Sequence, residues 1–442
     1  MPPNLPVVVT GAGPVGLAAA AELAERGLPF VVVEKGPTVA SAMAEWAHVR
    51  LFSPWSFNVA PAAERLLAST GWQRPPGDVH PTGGEVVSRY LMPLAAHPAI
   101  APAVTTGTQV VAVARAGTDR VRDAGRRDLP FVVRLRDRAG EEEILARAVI
   151  DASGTWTSPN RSRSGALGAI GETVPAVARH LSYAMPDVLG RDRDRFAGRR
   201  VAVLGSGHSA IGTLVDLDRL AVGAPGTTVT WLLRSDHAGA AFQGGEKDQL
   251  AARGALTTEA AALAASGRVD IRTGVRIDRL REEGGSLAIV TDRGDTILVD
   301  ELVVATGFRP DHGLAAELRL SLDPSLECPT ALAPLIDPNV HSCGTVRPHG
   351  HDVLAHPDSG YFIVGMKSYG RAPTFLMATG YEQVRSIVAH LAGDRAAADD
   401  VRLVLPETGV CSTDRRKEDG PRVGGGCCGK APAAGRVPEM QD

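Results

Sequence analysis

Five cysteines in 442 residues, an odd number without framework spacing, exclude a disulfide-stapled scaffold and fit thiols kept reduced in a cytosol. No Cys-x-x-Cys pair occurs, which removes the commonest redox dithiol. Long apolar runs are absent too, and none reaches the length that spans a bilayer. The start, Met1-Pro2-Pro3-Asn4-Leu5-Pro6, lacks the basic residues and apolar core of a secretory signal. A soluble, cytoplasmic protein without a membrane partner is expected. Neither sign of charge is in excess, with 47 basic residues against 50 acidic ones, so nothing invites a nucleic-acid backbone. Lysine is scarce beside arginine, a compositional bias without functional weight. Ser, His and Asp abound, yet no nucleophile elbow holds them, and hydrolysis has no support.

What the chain does have is an internal repeat. A buried strand, Val7 to Thr10, runs into Gly11-Ala12-Gly13-Pro14-Val15-Gly16 and an Ala-rich helix, then a strand from Phe30 to Val33. A second copy starts with Val201 to Leu204, continues through Gly205-Ser206-Gly207-His208-Ser209-Ala210 and a helix, and reaches a strand from Val229 to Leu233. Further strands are expected at 109–114, 131–136 and 143–150, closing on Asp151-Ala152-Ser153-Gly154. In the second copy they fall at 269–272, 287–291 and 297–304, closing on Ala305-Thr306-Gly307. The fold class that follows is α/β, with two Rossmann-like dinucleotide-binding domains of parallel sheet plus β-meander in three layers, the second inserted into the first. The expected boundaries are 1–165 and 296–406 for the first domain and 166–295 for the inserted one. A Gly-, Pro- and charge-rich tail, 407–442, reads as flexible.

Each glycine loop has a chemical reason. Gly11 permits the tight turn, Gly13 lets backbone approach a pyrophosphate, and Gly16 allows close helix–strand packing. Glu34 ends the next strand, where a carboxylate accepts both ribose hydroxyls of an adenosine, so this domain is expected to hold FAD. In the second loop Gly205 and Gly207 take the same roles, with Ser209 beside them. The acidic residue is replaced there by Arg234, followed by Ser235, and a guanidinium fork suits the 2′-phosphate of NADPH. Two such domains imply hydride transfer from nicotinamide to flavin. His349 and His351 lie close in sequence, but their spacing fits no metal pattern, and no metal is expected.

With both loops, Ala305-Thr306-Gly307-Phe308-Arg309-Pro310-Asp311 and Gly360-Tyr361-Phe362-Ile363-Val364-Gly365-Met366 in view, the chain resembles class B flavin monooxygenases and, more broadly, two-dinucleotide-binding-domain flavoproteins. The resemblance covers roughly residues 5 to 395. It implies that Gly307 closes the second domain and that Gly365 and Met366 run beside the flavin. A helix around Thr374–Gly380 would point its N-terminus at the flavin's pyrimidine edge. It also implies that the segment from Arg50 to Asn58 lines the flavin, with Asn58 near the oxygen-activating carbon. A turn-forming role for Asn58 is an equal alternative. The monooxygenase fingerprint is partial: His180, Ser182 and Tyr183 are in place, while its Phe and Gly are not. Related enzymes with a single Cys in the first loop have it where this chain has Val15.

Cys411, Cys427 and Cys428 punctuate the tail, the last two flanked by glycine, as soft ligands for a thiophilic ion. Together with the run from Gly344 onward, they resemble the flavoprotein monooxygenases of bacterial arsenic-resistance operons. The reading is an NADPH-dependent monooxygenase acting through a flavin C4a-(hydro)peroxide on a soft nucleophile, a trivalent arsenical among the candidates. Its partners would be a small-molecule substrate and O2, and a homodimer is compatible with it. The alternatives are a flavin-dependent NADPH reductase, a monooxygenase of an organic sulfide or amine, and a non-enzymatic metalloid carrier.

Overall fold

Strands buried on both faces of a parallel sheet read as unbroken apolar runs rather than alternating ones. β1 (Val7–Thr10) is such a run, buried along its whole length. The computed structural model describes residues 4–165, 167–239, 251–340, 348–373 and 375–403. After β1 come α1 (Pro14–Glu25), β2 (Phe30–Val33) and the two-residue β3 (Val104–Thr105). A meander follows: β4 (Gln109–Arg115), β5 (Phe131–Arg136) and β6 (Glu141–Ala146). The chain then re-enters the parallel sheet as β7 (Ala148–Asp151).

The second copy repeats the plan. It contains β8 (Leu181–Tyr183), β9 (Arg200–Leu204), α2 (His208–Gly223), β10 (Thr228–Leu232) and β11 (Val269–Arg272). Its meander is β12 (Ile277–Glu283), β13 (Ser286–Thr291) and β14 (Thr296–Val299), and β15 (Glu301–Val304) returns to the sheet. Last come β16 (Tyr361–Ile363) and α3 (Met377–Leu391). The parallel sheets have equivalent orders, β16-β7-β1-β2-β3 and β8-β15-β9-β10-β11. In the first the outer strand comes from the far end of the chain; in the second it precedes the glycine loop. Even the irregularity recurs: register shifts between Val110 and Ala112 in one meander and between Ile277 and Arg279 in the other.

Alternate residues of a strand face opposite layers. Val7 and Val9 pack with Leu17 of α1 and Val384 and Ile387 of α3, whereas Val8 packs with Val113 and Val133 of the meander. Val203 and Leu214 share the helix side of the second sheet, and Ala202 and Ile289 the meander side. This is the three-layer α/β architecture expected from the repeat.

Four details differ from expectation. The runs 143–150 and 297–304 are each two strands, broken at Arg147 and Asp300, because the first half pairs antiparallel in a meander and the second half parallel in a sheet. Val269–Arg272 belongs to the parallel sheet, not the meander. The true first meander strand, β12, is so charged that only Ile277 and Leu280 are buried. Residues 296–304 pair entirely within the second copy, so the return to the first domain comes after Val304, later than residue 296. β8, a strand not expected from the sequence, also joins the second sheet. No described helix is long and apolar enough to cross a membrane.

Candidate active site

The two glycine loops superimpose in their constraints. Gly11 sits at φ +96°, where a Cβ would stand 2.7 Å from the Ala152 carbonyl oxygen; Gly205 sits at φ +137°, where it would meet that of Ala305 at 2.3 Å. A Cβ on Gly16 would lie 1.9 Å from the Gly11 carbonyl oxygen, so the α1–β1 approach excludes any side chain there. The middle glycines behave differently. A Cβ on Gly13 or Gly207 would meet nothing within 4 Å, and each residue N-caps its helix without a side-chain hydrogen bond. Two helices therefore start with orphan N–H donors over open space, a donor set that fits the pyrophosphate of a dinucleotide in each loop.

Glu34 closes the first site. Its Oε2 accepts from Ala12 N (2.8 Å) and its Oε1 from Gly36 N (2.7 Å), which fixes the carboxylate beside the loop. Its remaining lone pairs suit ribose hydroxyls. Gly365, at φ +69°, opens a 3-10 turn over the same loop. A Cβ there would approach Val15 Cγ2 at 3.3 Å, and one on Gly380 of α3 at 2.5 Å. Val15 thus plugs the junction of loop, turn and helix. Gln383, fully buried in α3, clamps the turn: its Oε1 accepts from Gly365 N (2.8 Å), and its Nε2 donates to Ser368 Oγ (2.9 Å). Met366, half-buried, follows on that turn. α3 starts at Met377 without a side-chain cap, and in its first turn Thr379 N donates to the Leu376 carbonyl at 3.0 Å. The expected helix start at Thr374 falls on a residue outside those described.

The 50–58 segment is anchored more tightly than expected. Asn58 is fully buried; its Oδ1 accepts from Ser53 Oγ (2.8 Å), and its Nδ2 donates to the carbonyls of Ser53 (2.7 Å) and Pro54 (3.0 Å). Tyr381 of α3 donates to its backbone carbonyl at 2.9 Å. Both amide hydrogens are used within the 53–58 turn, which is the geometry of the turn-forming role expected as the equal alternative for Asn58. Arg50 is exposed and holds the His80 carbonyl within an isolated bridge to Thr82, so here it braces the segment. Phe52 packs edge-on against His208 of the second loop, ring centroids 5.2 Å apart. That contact joins the 50–58 segment to the second glycine loop, and each loop follows the carboxyl end of its strand, where α/β sheets bind ligands.

In the second site Gly205, Gly207 and Ser209 line the start of α2, and Arg234 stands exposed just past β10. Gly307, at φ +88°, lies where the two crossing segments pair: Asn160 N donates to its carbonyl (2.9 Å), and Arg309 N to that of Ser158 (3.0 Å). The fingerprint residues have structural work. His180 Nδ1 lies 2.8 Å from the Asp300 carbonyl, and Tyr183 donates to Glu172 at 2.6 Å.

Sequence reasoning missed a buried ion pair beside the first glycine loop. Lys367, 1% exposed, reaches Asp151 Oδ2 at 2.6 Å and Ser153 Oγ at 3.1 Å, and Tyr361 donates to the same Asp151 oxygen at 2.8 Å. Burial opposes the Asp151 charge, but Lys367, Ser153 and Tyr361 outweigh it and hold the carboxyl below its usual range. The signal available was a lysine in a lysine-poor chain, directly after a glycine turn.

Among the described residues the one free cysteine is Cys328, buried, its thiol pushed up to about 12 mainly by desolvation. Cys411, Cys427 and Cys428, and Cys343 of the His341–His356 stretch, lie outside the described residues. His349 and His351 take different partners: His349 Nε2 lies 3.0 Å from Gln383 Nε2, and His351 Nε2 lies 2.9 Å from Asp352.

Residues 8–330 match the family described as pyridine nucleotide-disulphide oxidoreductase. Indole-3-pyruvate monooxygenase YUCCA1 of Oryza sativa subsp. japonica is 28% identical over 213 residues, which is 48% of this chain and 45% of that protein, less than half its length. Bacillithiol disulfide reductase Bdr (YpdA) from Bacillus cereus is similar in structure, with TM-score 0.64 and 19% identity over 88% of this chain and 99% of that one. The ornithine N-hydroxylase of Kutzneria sp. 744, in a complex with reduced FAD, NADP+ and L-ornithine, matches with TM-score 0.58 and 17% identity over 89% of this chain and 100% of that one. At these identities the solved structures show a common fold.

Proposed function

The chain belongs to the pyridine nucleotide-disulphide oxidoreductase family, and from that premise we propose that it is an FAD- and NADPH-dependent monooxygenase of a soft nucleophile. The observation that carries this reading is Val15. Where related enzymes place a reactive cysteine, this apolar side chain fills the space against Gly365 and Gly380. No Cys-x-x-Cys exists in the chain, and the desolvated Cys328 thiol is no nucleophile, so the described residues hold no dithiol to take electrons from the flavin. Dioxygen is the acceptor in this reading.

Bound FAD supplies hydride acceptance and dioxygen activation. The chain's own residues bind and orient. Gly11, Gly13 and Gly16 seat the FAD pyrophosphate and Glu34 its ribose. Gly205, Gly207 and Ser209 seat NADPH, and Arg234 selects it by its 2′-phosphate. The braced segment from Phe52 to Asn58 excludes water from the site. Oxygen transfer to sulfur, nitrogen or trivalent arsenic demands desolvation and positioning more than a dedicated acid–base pair. The arsenical reading rests on Cys411, Cys427 and Cys428, three soft ligands suited to pyramidal trivalent arsenic on a glycine-rich tail that would raise its local concentration.

The test is NADPH oxidation by purified holoprotein with arsenite, methylarsenite, organic sulfides, amines and low-molecular-weight disulfides, with and without O2. An O2-dependent oxygenated product supports the reading; O2-independent disulfide reduction overturns it. If arsenicals are turned over, Cys427→Ser with Cys428→Ser should raise their KM and spare kcat, and unchanged kinetics would remove the tail from the mechanism.

A further inference from the structure

After α3 the chain doubles back as α4 (Arg395–Asp399), a short helix whose N-cap Asp394 accepts from Ala397 N at 3.1 Å. Side chains of α3 hold it there. Ser386 Oγ donates to the Ala398 carbonyl (2.7 Å), and Arg385 donates to the carbonyls of Ala397 (2.8 Å) and Asp400 (2.6 Å). The segment carrying His351 docks on the same serine. His351 N donates to Ser386 Oγ at 3.0 Å, an approach that Gly350 permits, since a Cβ there would stand 2.4 Å from that oxygen. One buried hydroxyl thus brings His351 and the end of α4 together.

This docking sets the tautomer of His351, which is 6% exposed. Ser386 gives its one proton to Ala398, so toward His351 Nδ1, 3.4 Å away, it only accepts. Nδ1 therefore carries the ring proton, and Nε2 presents a lone pair. That nitrogen faces two carboxylates, Asp352 Oδ1 at 2.9 Å and Asp399 Oδ1 at 3.9 Å. A lone pair against two anions is repulsive unless a cation joins them. Among the described residues neither carboxylate pairs with a lysine or arginine.

The three ligand atoms lie within 4.8 Å of one another. A tetrahedral zinc ion, with ligands at about 2.0–2.1 Å, keeps them about 3.3 Å apart, and the observed 2.9 and 3.9 Å bracket that spacing. Asp352 and Asp399 are exposed, so small rotations can close the set. His351 is fixed by Ser386 and by His390, whose ring stacks on it at 4.3 Å and 24°. One imidazole with its other nitrogen hydrogen-bonded, plus two carboxylates, suits zinc better than calcium or magnesium, which take oxygen alone. The spacing of His349 and His351 predicted no metal, and His349 faces Gln383 instead. The partners of His351 are its neighbour and a helix further along the chain, which spacing between histidines does not show.

We propose that His351, Asp352 and Asp399 bind one zinc ion, with water as the fourth ligand, and that the ion staples α4 to the 351–352 segment. The site is independent of the flavin reading, and its test needs no turnover.

The experiment uses untagged, full-length, FAD-loaded protein with Cys343, Cys411, Cys427 and Cys428 replaced by serine, so that these thiolates do not compete for the ion. The protein is stripped with a chelator and titrated with zinc chloride against a chromophoric competitor. One zinc ion per chain should bind, show only nitrogen and oxygen neighbours in X-ray absorption, and raise the melting temperature. Asp352→Asn combined with Asp399→Asn, both at exposed positions, should weaken binding about a hundredfold or more and remove the melting shift. Unchanged zinc affinity in the double variant would overturn the proposal. So would failure of zinc to bind at micromolar concentration, the outcome expected if a proton on His351 Nε2 is the cation that joins the carboxylates.

Discussion

Trp156 and Phe308 stack with centroids 5.1 Å apart and planes at 27°, each just beyond the glycine that ends its copy of the repeat, Gly154 and Gly307. Two aromatic residues, two positions past one glycine and one past the other, thus meet where the chain crosses between domains, and Trp156 Nε1 also donates to Glu45 at 2.6 Å. Trp156→Ala should lower stability by about 1–3 kcal/mol through lost stacking and hydrogen bonding. It should slow NADPH-driven flavin reduction by a larger factor than stability alone accounts for. Thermal melts and stopped-flow absorbance check this; a melt shift with wild-type reduction rates would show that the stack does not set the distance between nucleotides.

The glycines separate folding from binding. Gly13→Ala meets no protein atom at a backbone conformation alanine accepts, so the apoprotein should keep its melting temperature or gain slightly, while FAD affinity falls tenfold or more, on the order of a lost close backbone contact. Gly16→Ala should fail to fold, since its Cβ would stand 1.9 Å from a carbonyl oxygen. Equal FAD affinity in Gly13→Ala and wild type would place the pyrophosphate elsewhere.

Arg234→Ala should raise the KM for NADPH roughly ten- to a hundredfold and leave NADH almost unchanged, as a charged fork on a phosphate monoester is removed. The same loss with both nucleotides would mean that Arg234 supports the loop instead of reading the phosphate.

Asn58→Ala removes three side-chain hydrogen bonds and should destabilise the protein by about 2–3 kcal/mol. With the 53–58 turn loosened, more NADPH should be diverted to hydrogen peroxide while FAD binding and anaerobic reduction persist. Peroxide yield per NADPH is the readout, and unchanged coupling would detach this turn from oxygen chemistry.

Acid should expose the buried histidines. Burial lowers the pKa of His356 from 6.5 to about 4, so the unfolded chain binds the extra proton first. The corresponding stability is complete above pH 6.5 and declines as pH falls toward 4, by roughly 3 kcal/mol over the full window. His312 is shifted in the same direction by the same cause. His356→Gln should flatten the fall in melting temperature between pH 7 and 5; parallel curves for variant and wild type would contradict its burial as a neutral ring.

Where local chemistry alone dictates geometry, the sequence was sufficient. Gly11, Gly13 and Gly16 after an apolar strand, and Gly205 and Gly207 after another, demanded strand–turn–helix units because only glycine tolerates the turn and the close approach. Repetition of that unit gave two domains, each with a glycine loop between its first strand and helix. Strand partnership was not legible, because only Arg147 separates β6 from β7 and hydrogen-bonding neighbours alone split them there. β12 was hidden by charge, since an edge meander strand needs just two buried residues. The role of Asn58 turned on which atoms its amide meets, and the Lys367–Asp151–Tyr361 network joins residues more than two hundred positions apart. Such pairings depend on three-dimensional proximity and on desolvation, and both arise when the sheet closes and the final strand β16 docks beside β7.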